Sequence, residues 1–127
     1  TDGMIGYVTV GADDIALAER FYSAFLPALG YELERYHGDL SYALPVTPDQ
    51  SPVHPDFYVK SPYDGAPAAA GNGVMVAFQA DNQQQVRDLH AAALAAGVAV
   101  GGVGRALLVA HQYVLYIVLL KKRIVNM

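Results

Sequence analysis

Apolar and polar positions follow the same succession of patterns twice along the chain. The first copy starts with a β-rich apolar run at residues 5–10, and Asp13 or Asp14 can then accept hydrogen bonds from the free N–H groups of a helix. Apolar residues next recur three and four positions apart and predict one buried helical face: Ala18, Phe21, Tyr22, Phe25 and Leu29. Pro27 predicts a kink or a fresh last turn, and Gly30 predicts the end of the helix.

Three strands are predicted after this helix, at residues 31–36, 40–46 and 56–61. A tight turn is expected at His37-Gly38-Asp39, between the first two of these strands. The segment 47–55 contains three prolines and predicts an irregular loop.

The second copy starts with a strand at residues 74–80, after which Asp81 or Asn82 is expected to cap a helix that ends at Gly97. A further strand is predicted at residues 98–103. The inner face of this helix is expected to hold Val86, Leu89, His90, Ala93 and Leu94. The two copies align at a constant offset, because Tyr7 matches Met75 (75 − 7 = 68).

This offset predicts an α+β fold with two tandem β-α-β-β-β modules. Module one covers residues 4–61, the Pro-, Gly- and Ala-rich linker covers 62–72, and module two covers 73–127, all within one domain, 4–127. A sheet with one helix covers only one of its own faces. Two such sheets side by side can form a cleft, so we expect the second copy to complete a pocket.

The tail after Arg105 breaks this pattern, and two interpretations of it stay open. Residues 105–125 contain no Gly, Pro, Asn or Asp, the residues that hairpin turns favour, so we expect either one long divergent strand or an altered or uncertain sequence. The last strands of module two are therefore in doubt. The apolar run 106–120 is shorter than a membrane-spanning helix needs, and no membrane partner is expected.

Composition narrows the functional classes. The chain of 127 residues is 54% hydrophobic and 16% charged, which is typical of a globular protein. The net charge is −4 and the basic run at residues 121–123 is isolated, so no nucleic-acid partner is expected. There is no cysteine, which excludes disulfides and thiolate sites and fits the cytoplasm. No basic and then apolar leader is visible, so we expect no secretory signal.

Several segments carry a resemblance to a known superfamily. The strand–Asp–helix segment "MIGYVTVGADDIALAERFY" and the segment "GNGVMVAF" that opens the second copy, in this order, resemble the glyoxalase/bleomycin-resistance/extradiol-dioxygenase (vicinal oxygen chelate) superfamily. The resemblance implies two βαβββ modules in a curved mixed sheet, commonly in a homodimer. It also implies either a divalent metal, held by a first-strand His of each module and by later carboxylates, or a metal-free cleft that sequesters an antibiotic.

The metal-ligand positions of the superfamily do not match this chain. The first-strand histidines would fall at Tyr7 and Met75, and a phenol and a thioether are poor ligands for Mg²⁺, Mn²⁺ or Fe²⁺. Asp56 lies at the start of its predicted strand, and no acidic residue follows Arg105. We therefore expect no cofactor, with a divalent metal as the open alternative.

Tyrosines are the main candidate site residues, since the chain has nine of them and no tryptophan. We expect Tyr7, Tyr42, Tyr58 and Met75 to line an aromatic cleft for a small organic molecule, with core packing as the equal alternative. His111 is the candidate ligand in the tail, where an imidazole in an apolar strand needs a partner.

Three functions remain open at this point. The first is a metal-free protein that binds a small organic molecule. The second is a metal-dependent lyase, isomerase or dioxygenase with an unusual ligand set. The third is an interaction module that dimerises through its exposed sheet face. The sequence does not decide whether the chain is an enzyme.

Overall fold

The structure is a computed structural model that describes residues 3–49, 54–68, 75–99, 105–109 and 114–118. The strands are β1 (Tyr7–Gly11), β2 (Glu32–Tyr36), β3 (Asp39–Ala43), β4 (Asp56–Lys60), β5 (Met75–Gln79), β6 (Arg105–Val109) and β7 (Val114–Val118). The helices are α1 (Ile15–Tyr22), α2 (Gln83–Ala99) and a 3-10 turn at Pro27–Leu29. The predicted α+β class is confirmed.

The first unit is a curved, unclosed four-stranded sheet in the order β1-β4-β3-β2, with α1 against one of its faces. β1 and β4 pair in parallel, while β3 pairs antiparallel with both β4 and β2. The predicted tight turn joins β2 to β3 through His37 and Gly38, whose φ angles are 51° and 84°. Two consecutive positive φ angles are the geometry of a type I′ hairpin turn.

The first helix begins at a predicted cap but ends at Tyr22, before the predicted end at Gly30. The carboxylate of Asp14 accepts a hydrogen bond from the N–H of Leu17 at 3.1 Å and so caps the helix. After Tyr22 the N–H groups of Ala24 and Phe25 donate to carbonyls three residues back, and Pro27 opens a separate 3-10 turn. Gly30 ends that turn at φ 96°, in the left-handed region that glycine tolerates.

The second unit repeats the first at the predicted offset. β5 and α2 begin 68 positions after β1 and α1 (75 − 7 = 68; 83 − 15 = 68). Asn82 caps α2 by accepting from the N–H of Gln85 at 2.8 Å, the role that Asp14 has in α1. Gly97, the predicted end, lies inside α2, because a glycine costs a helix only about 1 kcal/mol. Residues 98 and 99 are therefore helical rather than the start of a strand.

The tail differs from the first unit and from the single long strand that was one of its two open interpretations. β6 and β7 pair antiparallel with each other, and β7 pairs antiparallel with β5, in the order β5-β7-β6. The described residues of this unit thus contain three strands rather than four. Two short antiparallel strands satisfy one another's backbone groups, which one long strand cannot do. The predicted module boundaries at residues 61 and 73 stay predictions.

One hydrophobic core joins the two units. Phe78 on β5 packs edge-on against Phe57 and Tyr31 of the first unit, with ring centroids 5.3 and 5.7 Å apart. The buried positions repeat with the same offset, since Ala18, Phe21 and Phe25 in the first unit correspond to Val86, Leu89 and Ala93 in the second. The core residues are Val10, Ala12, Ala18, Phe21, Tyr22, Phe25, Leu26, Leu40, Tyr42, Phe57, Val59, Phe78, Ala80, Val86, Leu89 and Ala93.

Candidate functional site

The candidate site lies on the face of the four-stranded sheet that points away from α1, which we call the open face. Strand register decides which side chains share this face. Tyr7 is the register partner of Asp56, and Thr9 and Ser41 are the partners of Tyr58. Side chains alternate along a strand, so Tyr7, Asp56 and Tyr58 all project from the open face. Their neighbour Phe57 projects the other way, into the core.

Tyr7 and Tyr58 form a stacked pair on the open face. Their ring centroids are 4.9 Å apart and their planes are inclined by 29°. Tyr7 is 61% exposed, whereas Tyr58 is partly buried beside it. The exposed ring offers a π surface to solvent, and the neighbouring ring fixes its position. Such a pair is suited to contact with a flat organic molecule.

A hydrogen bond fixes the hydroxyl of Tyr58. This hydroxyl donates to Oδ2 of Asp56 at 3.2 Å, two residues earlier on the same strand. The pKa of Tyr58 is raised, first by partial burial and then by the adjacent Asp56 carboxylate, since both disfavour the phenolate. Tyr58 is therefore a neutral hydrogen-bond donor near pH 7, with its proton held toward Asp56.

A depression of about 320 Å³ adjoins Tyr58. This volume lies at the lower end of the range for small-molecule pockets. Its walls come from strands β2, β3 and β4: Glu34, Tyr36, Asp39, Leu40, Ser41, Tyr58 and Lys60. Two carboxylates, one ammonium and two phenols thus surround a space large enough for a fused bicyclic ring.

The sequence pattern did not single out Glu34, Tyr36, Asp39 and Lys60 as site residues. The signal that could have found them is their spacing. Glu34 and Tyr36 are two residues apart before the His37-Gly38 turn, and Asp39 follows it directly. Because strand side chains alternate, this two-residue spacing across a two-residue turn places all three on one face.

Tyr42 lies on the opposite face, which corrects the expectation that it lines the cleft. It is the register partner of Phe57, and it shares the α1 side of the sheet with that ring. Its side chain is 0% exposed, and its hydroxyl is 2.8 Å from the hydroxyl oxygen of Ser23. Burial raises the pKa of Tyr42, and the hydrogen bond with Ser23 lowers it in part. Tyr42 is a core residue.

The side chains of two other predicted site residues, Met75 and His111, lie outside the described part of the structure. The backbone of Met75 starts β5 and pairs with Val118, but its side chain lies outside the described part. His111 lies outside the described residues altogether. Their roles in the site stay predictions.

The described histidines and carboxylates do not fit a divalent metal ion. His37 and His54 are exposed loop residues, and His90 is half-buried on α2. Among the side chains described, no three His, Asp or Glu groups come close enough together to hold a metal. Asp56 is the register partner of Tyr7. A neutral phenol is a poor ligand for Mg²⁺, Mn²⁺ or Fe²⁺, so this pair does not make a site for such an ion.

Neither helix in the described part of the chain has the length and apolar character needed to cross a bilayer.

Comparisons with known proteins bear on the family. No protein-family model matches the chain, and no curated protein matches it significantly. A solved structure, a glyoxalase/bleomycin resistance protein from Albidiferax ferrireducens T118, is 30% identical to this chain with a TM-score of 0.62. The match covers 75% of this chain and 73% of that one, and it confirms the fold that the resemblance implied. The chain belongs to the glyoxalase/bleomycin resistance protein family of the vicinal oxygen chelate superfamily.

Proposed function

We propose that this chain binds a small, planar organic molecule on its open face, against Tyr7 and Tyr58, without a bound metal ion. The observation that carries the proposal is the stacked pair itself, with centroids 4.9 Å apart and its outer ring 61% exposed. Large aromatic side chains usually bury their rings, so an ordered, exposed ring beside a depression is a natural platform for a flat ligand.

The polar groups around the depression support this proposal. Ligand pockets combine apolar walls with a few placed polar groups that set orientation. Here the rings of Tyr36 and Tyr58 supply apolar surface, while the hydroxyl of Ser41 and the Tyr58–Asp56 hydrogen bond supply oriented polar groups. A ligand ring can lie on Tyr58 while its substituents contact these groups.

The metal-free part of the proposal rests on ligand chemistry. The positions that the superfamily resemblance assigns to metal-binding histidines hold Tyr7 and Met75 in this chain. A neutral phenol and a thioether do not match the hard cations of that superfamily. The competing function is a metal-dependent lyase, isomerase or dioxygenase that uses His111, and the experiment below separates the two.

The proposal includes a homodimer in the cytoplasm. Met4 and Ile5 lead into the edge strand β1 and expose large apolar side chains, at 48% and 66%. Exposed apolar side chains next to a strand edge that pairs with no other described strand favour association with a second copy. The absence of cysteine fits a reducing compartment. Light scattering on the wild-type protein and on Ile5→Asp tests the dimer, since the variant should be monomeric.

The binding experiment uses protein dialysed against EDTA, with quinoline as a neutral, flat probe. A ligand at ten times its Kd adds about 1.4 kcal/mol to the free energy of unfolding. The wild-type protein should gain thermal stability, and Tyr7→Ala and Tyr58→Ala should lose that gain. Tyr63→Ala is the matched control, because Tyr63 is a fully exposed tyrosine away from the depression.

Two results would overturn the proposal. One is a quinoline-dependent gain that survives in both Tyr7→Ala and Tyr58→Ala. The other is stoichiometric Fe, Mn, Zn or Ni in the purified protein that disappears in His111→Ala, which establishes the metal-dependent alternative. A probe that stabilises only the wild-type protein and Tyr63→Ala, with no stoichiometric metal, supports the proposal.

A further inference from the structure

The open face carries an excess of negative charge. The alternation of side chains places four carboxylates on this face: Glu32, Glu34, Asp39 and Asp56. One ammonium group, that of Lys60, lies on the same face. Glu34, Asp39 and Lys60 line the depression itself, together with the rings of Tyr36 and Tyr58. The depression therefore combines π faces with a net negative charge.

The cations nearest in sequence do not neutralise this face. Arg35, which lies between Glu34 and Tyr36 on β2, projects to the α1 side and forms a two-point ion pair with Glu19 at 2.7 and 2.8 Å. In the described part of the chain, no Lys or Arg nitrogen lies within 4.0 Å of the Glu34 or Asp39 carboxylate. Asp39 accepts one backbone hydrogen bond, from the N–H of Ser61 at 3.3 Å.

We infer that the ligand of this site is a planar organic cation, such as an aromatic ring with a fixed or delocalised positive charge. This inference rests on the proposed function and names the chemical class of its ligand. A cation over a tyrosine ring is attracted by the negative π face, and nearby carboxylates add Coulombic attraction. Both kinds of attraction are available around one space of about 320 Å³: the rings of Tyr36 and Tyr58 supply π faces, and Glu34 and Asp39 supply carboxylates.

Two other occupants of an acidic face fit less well. A divalent metal ion needs several carboxylates that converge on one point, and no three acidic or histidine groups converge among the described side chains. A second copy that pairs through the same face would place the four carboxylates of one chain against the same four of the other, and like charges across an interface disfavour association.

The test compares three probes that share one ring system but differ in charge: 1-methylquinolinium, quinoline and quinoline-2-carboxylate. Titrations of the EDTA-dialysed full chain near pH 7.5 and at low salt should rank the cation first, about tenfold tighter than quinoline, and the anion last. Raising the salt concentration should reduce the preference for the cation, because the charged groups are exposed to solvent.

Two substitutions that change the charge of the depression in opposite directions make the test specific. Glu34→Gln should weaken binding of 1-methylquinolinium several-fold, and Lys60→Met should tighten it, while neither changes the affinity for quinoline as much. Asp88→Asn is the matched control, since Asp88 lies on α2 and hydrogen-bonds Gln84 away from the depression. A merely structural role of Glu34 and Lys60 predicts changes of the same sign for all three probes.

Three results would overturn the inference. Equal affinity for 1-methylquinolinium and quinoline contradicts the cation preference and leaves the proposed function standing. Displacement of 1-methylquinolinium by stoichiometric Mn²⁺ alone identifies a metal site instead. If neither the wild-type protein nor any variant binds any of the three probes, both the inference and the proposed function are wrong.

Discussion

The rings of Tyr7 and Tyr58 stack across the parallel pairing of β1 and β4, with their centroids 4.9 Å apart. These are the first and last strands of the first unit, and they lie side by side in its sheet. The stack therefore joins two segments that are far apart in sequence, and it does so on the solvent side of the sheet. The same contact can stabilise the fold and present a binding surface.

The first prediction concerns the strength of this contact. A double-mutant cycle with Tyr7→Leu and Tyr58→Leu should give a coupling free energy of about 0.5–1 kcal/mol, at the lower end for aromatic pairs because Tyr7 is exposed. Urea unfolding of the four proteins measures it. Additive losses of the two single variants would show that the rings do not interact in solution.

The second prediction concerns Phe78, the residue that links the two units. Phe78→Ala should lower the free energy of unfolding by about 3–5 kcal/mol, because it empties a space enclosed by Phe25, Tyr31 and Phe57. Thermal or urea unfolding measures this loss. Gln79→Ala, at the next and exposed position of β5, is the control and should change stability by less than about 0.5 kcal/mol. A small loss for Phe78→Ala would mean that the units do not share a core.

Much of the fold was predictable because its signals are local. The offset of 68 positions (75 − 7 = 68) predicted where β5 and α2 begin, and the periodicity of Ala18, Phe21 and Tyr22 predicted the buried face of α1. Caps and tight turns also depend on neighbouring residues. His37-Gly38 therefore predicted the β2–β3 turn, and Asp14 was one of the two expected caps.

The site was less predictable because it depends on register between strands. Alternation alone cannot tell which face of a strand is buried, since a shift of one residue reverses every side chain. Tyr42 pairs with Phe57 and faces the core, whereas Tyr58 pairs with Ser41 and faces outward. The tail contradicts one of its two open interpretations, the single long strand; no turn residue marks the pairing of β6 with β7, and β7 also pairs with the distant β5.

The third prediction concerns the two equivalent helix caps. Asp14→Ala and Asn82→Ala each remove a side-chain acceptor from a helix N-terminus and should each cost about 1 kcal/mol. Chemical unfolding of both variants checks this. Asp81→Ala is the control, because the backbone N–H of Asp81, not its side chain, bonds Gln85. An equal loss for Asp81→Ala would contradict the assignment of Asn82 as the cap.

The fourth prediction concerns stability at alkaline pH. Burial raises the pKa of four tyrosines in the folded protein: Tyr22, Tyr31, Tyr42 and Tyr58. In the unfolded chain these groups ionise near pH 10. Their contribution to stability is thus complete below about pH 10 and is lost as the pH rises above it, by up to about 1.4 kcal/mol per pH unit for each tyrosine that ionises only when unfolded.

Unfolding by urea at a series of pH values measures this dependence. The free energy of unfolding should fall above pH 10, and that of Tyr22→Phe should fall less steeply because burial raises the pKa of Tyr22 the most among the four. The tyrosinate absorbance of the folded wild-type protein should rise in stages, with Tyr22 ionising last. Identical slopes for Tyr22→Phe and the wild-type protein would contradict the link between burial and pH.

The most direct test of the account is an NMR titration of EDTA-dialysed protein, labelled at its tyrosine rings, with 1-methylquinolinium. The open-face site predicts that the resonances of Tyr7, Tyr36 and Tyr58 shift together with one Kd, while those of the buried Tyr22 and Tyr42 stay in place. Shifts confined to other tyrosines, or shifts that arise only after a divalent metal is added, would contradict a metal-free site on the open face.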